Sequence, residues 1–389
     1  MYNLPWVGYL LPYEEVFVKK IIGFFYQDKV LLIALIAALI SVLFVPINRG
    51  YIDYINIEVL VVMFSLMLAV QGMTDQRLFS MIAVKMVKHL KDIRVIALVM
   101  IMASFFLGML LTNDAVLLTL IPFMLFVLAK INRTRESIII VILMTIAANL
   151  GSALTPMGDP QNIYLYTNFN LDFWEFIKNT SVITITGFFL LLLTVFLIFK
   201  QDLVEPIVED VKIKDYRLAI YFIMFLVAIL TVLGVIPAWI SLIIVVVLGL
   251  IFGREHFKKV DYQLLLTFVM FFIFTGNMSQ IGLVKNFFQS FLNNEHRVFF
   301  MGILVSQVMS NVPAAILLSK FIPLEFMFNL LQGVNIGAMG SIIGSLASLI
   351  TFKFVTKLYP ERFKEYLIKY TIICLIYMSV IIGVIYLLK

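Results

Sequence analysis

Long apolar segments recur along this chain, for example Val30–Val45, Tyr221–Val235 with its flanks, and Thr371–Leu388. A helix needs about 17–25 predominantly apolar residues to cross a bilayer, so repeated segments of this kind indicate membrane-spanning helices. Hydrophobic residues make up 62% of the 389 residues and charged residues only 13%, which leaves too little polar surface for a soluble protein. The sequence therefore predicts an all-α polytopic membrane protein and argues against a β-barrel, whose strands give short alternating segments.

The residue types that mark several other functions are scarce. The single cysteine, Cys374, falls in the last apolar segment and is expected to be a buried small hydrophobe. His89, His256 and His296 fall in charged connectors, and no cluster of His, Cys and carboxylate residues has metal-ligand spacing. The sequence has no phosphate-binding glycine loop and no nucleophile–base pair in its apolar segments. We therefore expect neither an enzyme nor a cofactor, other than a coupling Na⁺ or H⁺.

Nine apolar segments are predicted to cross the membrane fully, and two more, 95–130 and 297–324, are predicted to form re-entrant hairpins. A re-entrant hairpin enters and leaves the membrane on the same side. The nine crossings are predicted at 30–46, 56–72, 137–166, 180–200, 217–233, 238–253, 262–277, 326–352 and 370–388. The segment before them, 1–29, lacks the basic region of a signal peptide, and an amphipathic interfacial helix is expected near Glu14–Tyr26.

The distribution of basic residues gives the orientation. With the N-terminus in the cytoplasm, this layout puts 23 of the 29 Lys and Arg residues inside, as the positive-inside rule requires. The six outside are Arg49, Lys178, Lys285, Arg297, Lys320 and Lys389. A single crossing in place of either hairpin would swap the side of every later connector and weaken this asymmetry. The net charge of +6 therefore reflects membrane orientation rather than nucleic-acid binding, and it predicts a cytoplasmic-membrane protein with an extracytoplasmic C-terminus.

The order of the segments repeats along the chain. After an N-terminal interfacial segment (1–29), a first repeat (30–200) has two crossings, hairpin 95–130, a broken helix over 137–166 and a further crossing. A connector and linking helix (201–237) lead to a second repeat (238–389), which has hairpin 297–324 and a broken helix over 326–352. The odd number of crossings between the two inverts the second repeat. Inverted repeats with broken helices are typical of secondary transporters that work by alternating access.

Each repeat pairs a polar hairpin tip with a downstream Asn-x-Gly break. The tips are Thr112-Asn113-Asp114 and Ser310-Asn311-Val312, and the breaks begin at Asn149 and Asn335. Non-helical backbone inside a membrane is tolerated only where protein or trapped water satisfies it. Free N–H groups at helix N-termini attract anions, whereas free carbonyls together with Asn, Ser and Thr oxygens can coordinate Na⁺. The alternative is that these residues serve only as helix caps.

Two acidic residues, Asp114 and Asp159, lie deep in the apolar stretches without a Lys or Arg. A charge at mid-membrane costs about 2.5–3.5 kcal/mol on insertion scales, so it indicates function. Counted from the asparagines, their counterparts in the second repeat are Val312 and Ser345, which are uncharged. We therefore expect a cation or proton site in the first repeat and mostly neutral ligands from the second. For Asp159 the alternative is a charged N-cap.

The predicted substrate- and ion-binding residues are Thr112, Asn113, Asp114, Asn149, Gly151, Ser152, Thr155, Asp159, Asn162, Ser310, Asn311, Asn335, Gly337 and Ser341. Within this set, a Na⁺ site is predicted at Asn113, Asp114 and Asn149. The glycines beside the breaks have two interpretations that the sequence leaves open, a role in the site or close packing between helices.

The two tips and the stretch Asn149–Asn162 resemble the ion-transporter superfamily, and within it the citrate-transporter-like branch. That branch holds divalent-anion/sodium symporters, arsenite-efflux permeases and related sodium/proton antiporters. The resemblance covers nearly the whole chain, and it implies a homodimer with a scaffold part and a mobile transport part that moves like an elevator. In dicarboxylate symporters the tips carry Ser-Asn-Thr motifs that bind Na⁺ and carboxylates. Here Val312 lacks the final hydroxyl, and acidic Asp114 is more in keeping with the citrate, arsenite and antiporter relatives.

The function expected from these features is secondary active transport of a small anion, a di- or tricarboxylate or an inorganic oxyanion, coupled to Na⁺ or H⁺. The expected partners are the anion and the lipid bilayer, and no nucleic acid. A sodium/proton antiporter is the first alternative and an arsenite-efflux permease the second. A channel suits the two broken-helix sites less well, since paired sites of this kind favour occlusion over an open pore.

Overall fold

The computed structural model describes residues 28–204 and 208–388. Within these ranges the secondary structure is helical apart from one isolated bridge between Asp92 and Leu203, which confirms the all-α prediction. The helix expected near Glu14–Tyr26 lies outside the described residues. The α-helices, in chain order, are α1 (Lys29–Val42), α2 (Gly50–Tyr54), α3 (Ile57–Asp75), α4 (Leu78–Val87), α5 (Ile93–Leu110), α6 (Asn113–Lys130), α7 (Ser137–Ser152), α8 (Pro160–Asn168), α9 (Phe173–Ile198), α10 (Arg217–Val232), α11 (Ala238–Phe252), α12 (Tyr262–Gln280), α13 (Gly282–Phe291), α14 (Glu295–Met309), α15 (Asn311–Ser319), α16 (Met327–Gly337), α17 (Leu346–Leu358) and α18 (Phe363–Leu388).

Polar residues at the ends of the apolar segments fix where several helices begin. Asp92 accepts a hydrogen bond from Arg94 N–H at the start of α5, and Asp172 accepts one from Glu175 N–H at the start of α9. The first N–H groups of a helix have no partner within the helix, so such caps stabilise it by about 1 kcal/mol. In the described residues, six helices are long and apolar enough to cross a membrane: Ile57–Asp75, Ile93–Leu110, Asn113–Lys130, Phe173–Ile198, Tyr262–Gln280 and Pro360–Leu388.

The helix bounds differ from the predicted ones in three ways. Helix α9 begins at Phe173 and α18 at Phe363, each seven residues before the predicted crossing, because polar first turns extend these helices beyond the apolar core. Three short helices, α2, α4 and α13, were not predicted. Helix α4 was missed because Lys85 and Lys88 place it in what reads as a charged connector.

Both predicted hairpins consist of two helices, and both predicted broken helices consist of two helices with a non-helical stretch between them. Hairpin 95–130 is α5 and α6, which are 18 residues each, and hairpin 297–324 is α14 and α15, of 15 and 9 residues. Helices α7 and α8 make up 137–166, and α16 and α17 make up 326–352. At 1.5 Å per residue, α5 and α6 are each about 27 Å long. The re-entrant course of the hairpins and the inverted relation of the halves stay predictions.

The chain divides into two compact units. In the described part of the first, residues 28–56 and 261–285, α1 packs along α12. Asn277 in α12 is fully buried, and its Nδ2 donates to Ser41 Oγ and to Tyr51 OH, both over 2.9 Å. Gly276 leaves room for the ring of Tyr54. A buried amide with two hydroxyl acceptors thus ties α12 to α1 and α2.

The second unit, residues 57–260 and 286–388, contains the hairpins and the broken helices. Helix α5 packs along α7, and α14 packs along α16. Glycines allow both close approaches, since a Cβ at Gly151 would overlap the carbonyl oxygen of Phe105 and one at Gly333 would overlap that of Phe299. The predicted buried site for Cys374 is confirmed, because its side chain is fully enclosed.

The connectors of this unit that the charge distribution places inside contact one another. Asp202 accepts a hydrogen bond from Ile93 N–H at its backbone oxygen (3.1 Å) and binds the Arg133 guanidinium through its carboxylate. Ile93 begins α5 and Arg133 follows α6, so both ends of the first hairpin lie at one end of the unit. Arg362 donates to Thr134 O over 2.6 Å at the same end.

The connectors predicted to lie outside also contact one another. A cavity of about 510 Å³ is lined by residues from both connectors: Phe169, Asn170, Leu171, Asp172, Glu175, Leu324, Glu325, Met327 and Phe328. Four residues beyond the last lining residue of each connector, Gln332 Nε2 donates to Asn179 O over 2.7 Å. The loop after α8 and the loop before α16 therefore share one surface of the unit.

Candidate ion and substrate site

Each hairpin tip is held to the break in the neighbouring broken helix by a backbone hydrogen bond. Asn113 N–H donates to Gly158 O over 3.2 Å, and Asn311 N–H donates to Gly344 O over 2.9 Å. Gly158 lies nine residues after Asn149, and Gly344 lies nine residues after Asn335. The two halves therefore make the same contact at matching positions.

A second pair of contacts matches in the same way. Thr155 Oγ1 donates to Met109 O, and Ser341 Oγ donates to Gln307 O over 3.2 Å. The hydroxyl residues each follow the break asparagine by six positions, and Met109 and Gln307 each precede the tip asparagine by four. Thr155 and Ser341, both predicted site residues, thus connect each break to the first arm of its hairpin.

The tip asparagines have the same orientation in both halves. Asn113 Oδ1 accepts a hydrogen bond from Asp114 N–H over 2.8 Å, and Asn311 Oδ1 accepts one from Val312 N–H over 3.0 Å. Each amide oxygen therefore satisfies an N–H group in the first turn of its own helix. This leaves the NH₂ group of each tip asparagine free to donate elsewhere.

Both NH₂ groups donate to one carboxylate oxygen, Oδ2 of Asp159. The distances are 2.8 Å from Asn113 Nδ2 and 3.4 Å from Asn311 Nδ2. Ser152 Oγ donates to the same oxygen over 3.5 Å. Asp159 is only 4% exposed, and a buried carboxylate needs such donors to remain ionised. It occupies the N-cap position of α8, but its side chain makes no capping hydrogen bond.

Asn149 extends this cluster toward the second half of the chain. Its Oδ1 accepts from Asn113 Nδ2 over 2.9 Å, and its Nδ2 donates to Ser345 Oγ over 3.3 Å. Ser345 is the sequence counterpart of Asp159 and is the N-cap of α17, where its Oγ accepts from Ser348 N–H over 3.1 Å. The two equivalent positions therefore differ, because Ser345 caps its helix whereas Asp159 binds the tips.

A second group of buried amides includes Gln161 and Asn162 of α8 and Asn335 of α16. Asn335 Nδ2 donates to Asn162 Oδ1 over 2.8 Å, and Gln161 Nε2 donates to Asn335 Oδ1 over 3.3 Å. Asn162 Nδ2 donates to Ser152 O over 3.0 Å. Gln161 Oε1 is buried and accepts no hydrogen bond from the described residues. These amides join the first broken helix to the second.

The cluster has a distinct electrostatic character. In the hydrogen bonds of the described residues, no Lys or Arg side chain reaches Asp159 or the amides around it. Four helices, α6, α8, α15 and α17, begin at this cluster, and helix N-termini carry a partial positive charge. In the same ranges, no group of three or more His, Cys, Asp and Glu residues could hold a metal ion. Carboxylate and amide oxygens suit a hard cation, and the N-termini suit an anion.

The structure brings together half of the fourteen predicted residues. Asn113, Asn149, Ser152, Asp159 and Asn311 form the carboxylate cluster, and Asn162 and Asn335 belong to the second amide group. For the predicted Na⁺ site, Asn113 and Asn149 contact each other directly.

The other predicted residues have different positions. Thr112 and Ser310 stand at the N-cap positions of α6 and α15, and Ser310 has a φ of 76°, a strained value for a residue with a side chain. Asp114 lies in the first turn of α6. Gly151 and Gly337 are close-approach positions, where a Cβ would meet Phe105 O and Ser306 respectively.

The sequence interpretation missed three kinds of contact residue. Gln161 follows Asp159-Pro160 directly, so its place beside a candidate carboxylate was a usable signal. Ser345 was recognised only as the uncharged counterpart of Asp159. Ser348 and Tyr370, which bond to each other over 2.6 Å, carry no sequence signal, because serine and tyrosine are common in apolar helices.

A helical protein with apolar spans, in which two hairpin tips bond to one buried carboxylate at a helix break, has the features of a multi-pass membrane transporter. A family model described as "Citrate transporter" matches residues 22–323. The chain therefore belongs to the citrate transporter family, which confirms the resemblance and the expectation that it is not an enzyme.

Curated relatives agree with this class. The chain is 33% identical over 298 residues to an uncharacterized transporter of Methanocaldococcus jannaschii, covering 75% of this chain and 79% of the relative. It is 28% identical over 321 residues to the inner membrane protein YbiR of Escherichia coli, covering 80% and 83%. It is 30% identical over 149 residues to the putative transporter arsB of Dictyostelium discoideum, covering 38% of this chain and 26% of the relative.

Proposed function

We propose that this protein is a secondary active transporter that moves a small anion, a di- or tricarboxylate or an inorganic oxyanion, with Na⁺ or H⁺ coupling. One observation carries the proposal. Asp159 Oδ2 accepts hydrogen bonds from the tip asparagines of both hairpins, Asn113 and Asn311. A single ionisable oxygen is thus shared by the two structures that would have to move in alternating access.

The coupling follows from competition for that oxygen. A proton or Na⁺ bound at Asp159 Oδ2 replaces the amides as its partner and so weakens the hold on both tips. When the ion leaves, the carboxylate regains its need for donors and draws the tips back. Ion occupancy and tip position are therefore linked, as an ion-coupled carrier requires.

The anion would bind at helix N-termini rather than at basic side chains. Helices α6, α8, α15 and α17 begin around the cluster, and the partial positive charge of their N-termini favours a carboxylate or an oxyanion. A cation at Asp159 would offset the charge of the anion. The family description, "Citrate transporter", supports a carboxylate substrate.

The matched tip contacts support two related halves, 30–200 and 238–389, around this site. As part of the proposal, the halves are inverted and move by an elevator mechanism in a homodimer. The protein lies in the cytoplasmic membrane with the N-terminus inside and the C-terminus outside. The contacts of Asp202 with Ile93 and Arg133 support the predicted side of the first hairpin.

Sodium/proton antiport is the second candidate. Asp159 is favoured as a cation-exchange group because no Lys or Arg side chain hydrogen-bonds to it in the described chain. Arsenite efflux is a third, supported by the relative that is named arsB. A thiolate route for arsenic is unsuitable, because Cys374 is fully buried away from any second cysteine.

Proteoliposomes with an imposed Na⁺ or pH gradient test these functions directly. Gradient dissipation is measured with and without citrate, succinate, sulfate or arsenite. Dissipation that requires an anion supports the proposal, whereas exchange of Na⁺ for H⁺ without any anion supports antiport. Asp159→Asn should abolish cation dependence, and Asp210→Asn, in an exposed connector, should keep it. Wild-type cation dependence in Asp159→Asn would contradict the assignment of the coupling site.

A further inference from the structure

A buried series of hydroxyl groups leads from Asn149 to the last helix, α18. Asn149 Nδ2 donates to Ser345 Oγ over 3.3 Å, and the Oγ atoms of Ser345 and Ser348 lie 2.8 Å apart. Tyr370 OH donates to Ser348 Oγ over 2.6 Å. All four side chains are at most 2% exposed. Helix α18 is therefore linked to the candidate ion site through Ser348 in α17 and Ser345 at the N-cap of α17.

The number of lone pairs fixes the direction of these hydrogen bonds. A serine hydroxyl has one proton to donate and two lone pairs to accept with. Ser345 Oγ accepts from Asn149 Nδ2 and from Ser348 N–H, so both of its lone pairs are used. Its proton therefore goes to Ser348 Oγ, which also accepts from Tyr370. The bond from Tyr370 occupies the second lone pair of Ser348 Oγ and so stabilises Ser348 in the role of acceptor.

Loss of the Tyr370 hydroxyl would change this arrangement. Ser348 could then turn its own proton toward Ser345, where it would compete with Asn149 Nδ2 for the same lone pair. Asn149 Oδ1 also holds Asn113, and Asn113 donates to Asp159. A change in the orientation of Asn149 would therefore displace Asn113, whose hydrogen bond to Asp159 is the shortest of those described above.

We propose that Tyr370 is a positioning residue for the ion site. Its hydroxyl stabilises this direction of the bonds through Ser348 and Ser345, and so keeps Asn149 and Asn113 in the orientation that Asp159 requires. The role rests on the proposed function, because it concerns the affinity of the site for its coupling ion.

The neighbouring tyrosine provides a matched control. Tyr366 lies one turn before Tyr370 in α18, and the two rings stack at 5.7 Å with an angle of 19°. Both side chains are fully buried, but Tyr366 OH has no hydrogen-bond partner among the described residues. Tyr366→Phe thus removes a buried hydroxyl from the same helix without breaking the series.

The test compares full-length wild type, Tyr370→Phe, Tyr366→Phe, Ser348→Ala and the double variant Ser348→Ala/Tyr370→Phe in proteoliposomes. The rate of gradient dissipation is measured against Na⁺ concentration and pH, with whichever of the four anions supports the fastest rate, or without an anion if none is needed. Loss of one hydrogen bond in the series should raise the half-saturating cation concentration about three- to tenfold. The maximal rate should stay within about twofold of wild type.

Ser348→Ala should give the same change as Tyr370→Phe, and the double variant should add nothing, because both substitutions interrupt one series. Tyr366→Phe should behave as wild type. A purely structural role would instead lower the maximal rate and give additive effects.

Equal behaviour of Tyr370→Phe and Tyr366→Phe, or additive effects in the double variant, would overturn the positioning role. Asp159→Asn in the same assay keeps the two ideas apart. If it loses cation dependence while Tyr370→Phe is normal, only the positioning role is wrong. If Asp159→Asn is also normal, or if the wild type dissipates neither gradient, the proposed function fails together with it.

Discussion

At the scale of single residues, Asp159 and its two amide donors are not equivalent partners. Asn113 Nδ2 lies 2.8 Å from the carboxylate oxygen and also donates to Asn149, whereas Asn311 Nδ2 lies 3.4 Å away. Hydrogen bonds to charged groups contribute about 1.5–3 kcal/mol, and they weaken with distance. We therefore expect the first hairpin tip to stabilise the Asp159 carboxylate more than the second tip does.

This difference predicts an order of effects. Asn113→Ala should change the half-saturating Na⁺ or proton concentration by about tenfold or more, and Asn311→Ala by about two- to threefold. Both are measured from gradient dissipation in proteoliposomes, with protein amounts matched. An equal or larger effect of Asn311→Ala would mean that the second tip controls the carboxylate.

Asp159 and Asp114 also mark the limit of sequence reasoning at this scale. The scarcity of acids in the apolar segments identified both as candidates, but only the fold shows that the tip amides converge on Asp159. The contact between Asn311 and Asp159 joins residues 152 positions apart, and no local pattern encodes such a distance. Tyr370 could not be identified either, because tyrosine is common in apolar helices and carries no signal there.

At the scale of helices, close approach depends on small residues more than on polar ones. The sequence left Gly151 open between a role in the site and packing, and the structure places it where α7 meets the backbone of α5 at Phe105. The Asn-x-Gly pattern found both discontinuities but placed them slightly early, because the helices continue past Asn149 to Ser152 and past Asn335 to Gly337. The sequence pattern failed to predict α4, because Lys85 and Lys88 made this segment read as a charged connector.

Gly151→Ala should lower the stability of the protein by about 1–3 kcal/mol, because α5 and α7 must separate to admit a methyl group. Gly383→Ala, in α18, is the matched control, since a Cβ there meets no atom within 4 Å. The midpoint of thermal unfolding in detergent reports the difference. Equal midpoints would show that α5 and α7 accommodate the methyl group without a loss of stability.

A second element-level prediction concerns the 3₁₀ segment Arg254–Lys259. His256 in this segment is buried, with Nε2 2.7 Å from Tyr221 OH and Nδ1 2.8 Å from Asp75 Oδ2. It therefore holds the segment against α3 and α10, and His256→Ala should reduce stability by about 1–3 kcal/mol.

His296 supplies the comparison for His256. Its Nδ1 lies 2.8 Å from Tyr386 OH, but the side chain is half-exposed. Water can replace that contact, so His296→Ala should leave the unfolding midpoint nearly unchanged. A loss as large as that of His256→Ala would mean that burial does not set the difference.

At the scale of the whole molecule, charge and contact describe the same arrangement of connectors. Lys88 Nζ lies 2.6 Å from Asp210 Oδ2, and the hydrogen bond from Lys88 lowers the pKa of the Asp210 carboxyl below its ordinary value. Both residues belong to connectors that the positive-inside rule assigns to the cytoplasm. Composition was sufficient to predict the all-helical membrane class, because membrane insertion acts on long segments rather than on single contacts.

Cysteine labelling tests the orientation. Asp210→Cys should react with a membrane-impermeant thiol reagent only from the cytoplasmic side, and Glu325→Cys only from the outside. Both positions are exposed, and the native Cys374 is buried, so wild type is the unlabelled control. Labelling of both positions from the same side would contradict the predicted topology.

The shared acceptor at Asp159 has a consequence for how this gene can diverge. Neither half of the coding sequence specifies a complete site, because the carboxylate comes from one half and one of its amide donors from the other. A substitution at Asn311 therefore removes a hydrogen bond from a carboxylate that the first half encodes. Gene fission between residues 200 and 238 would yield two polypeptides that regain the site only by assembling with each other.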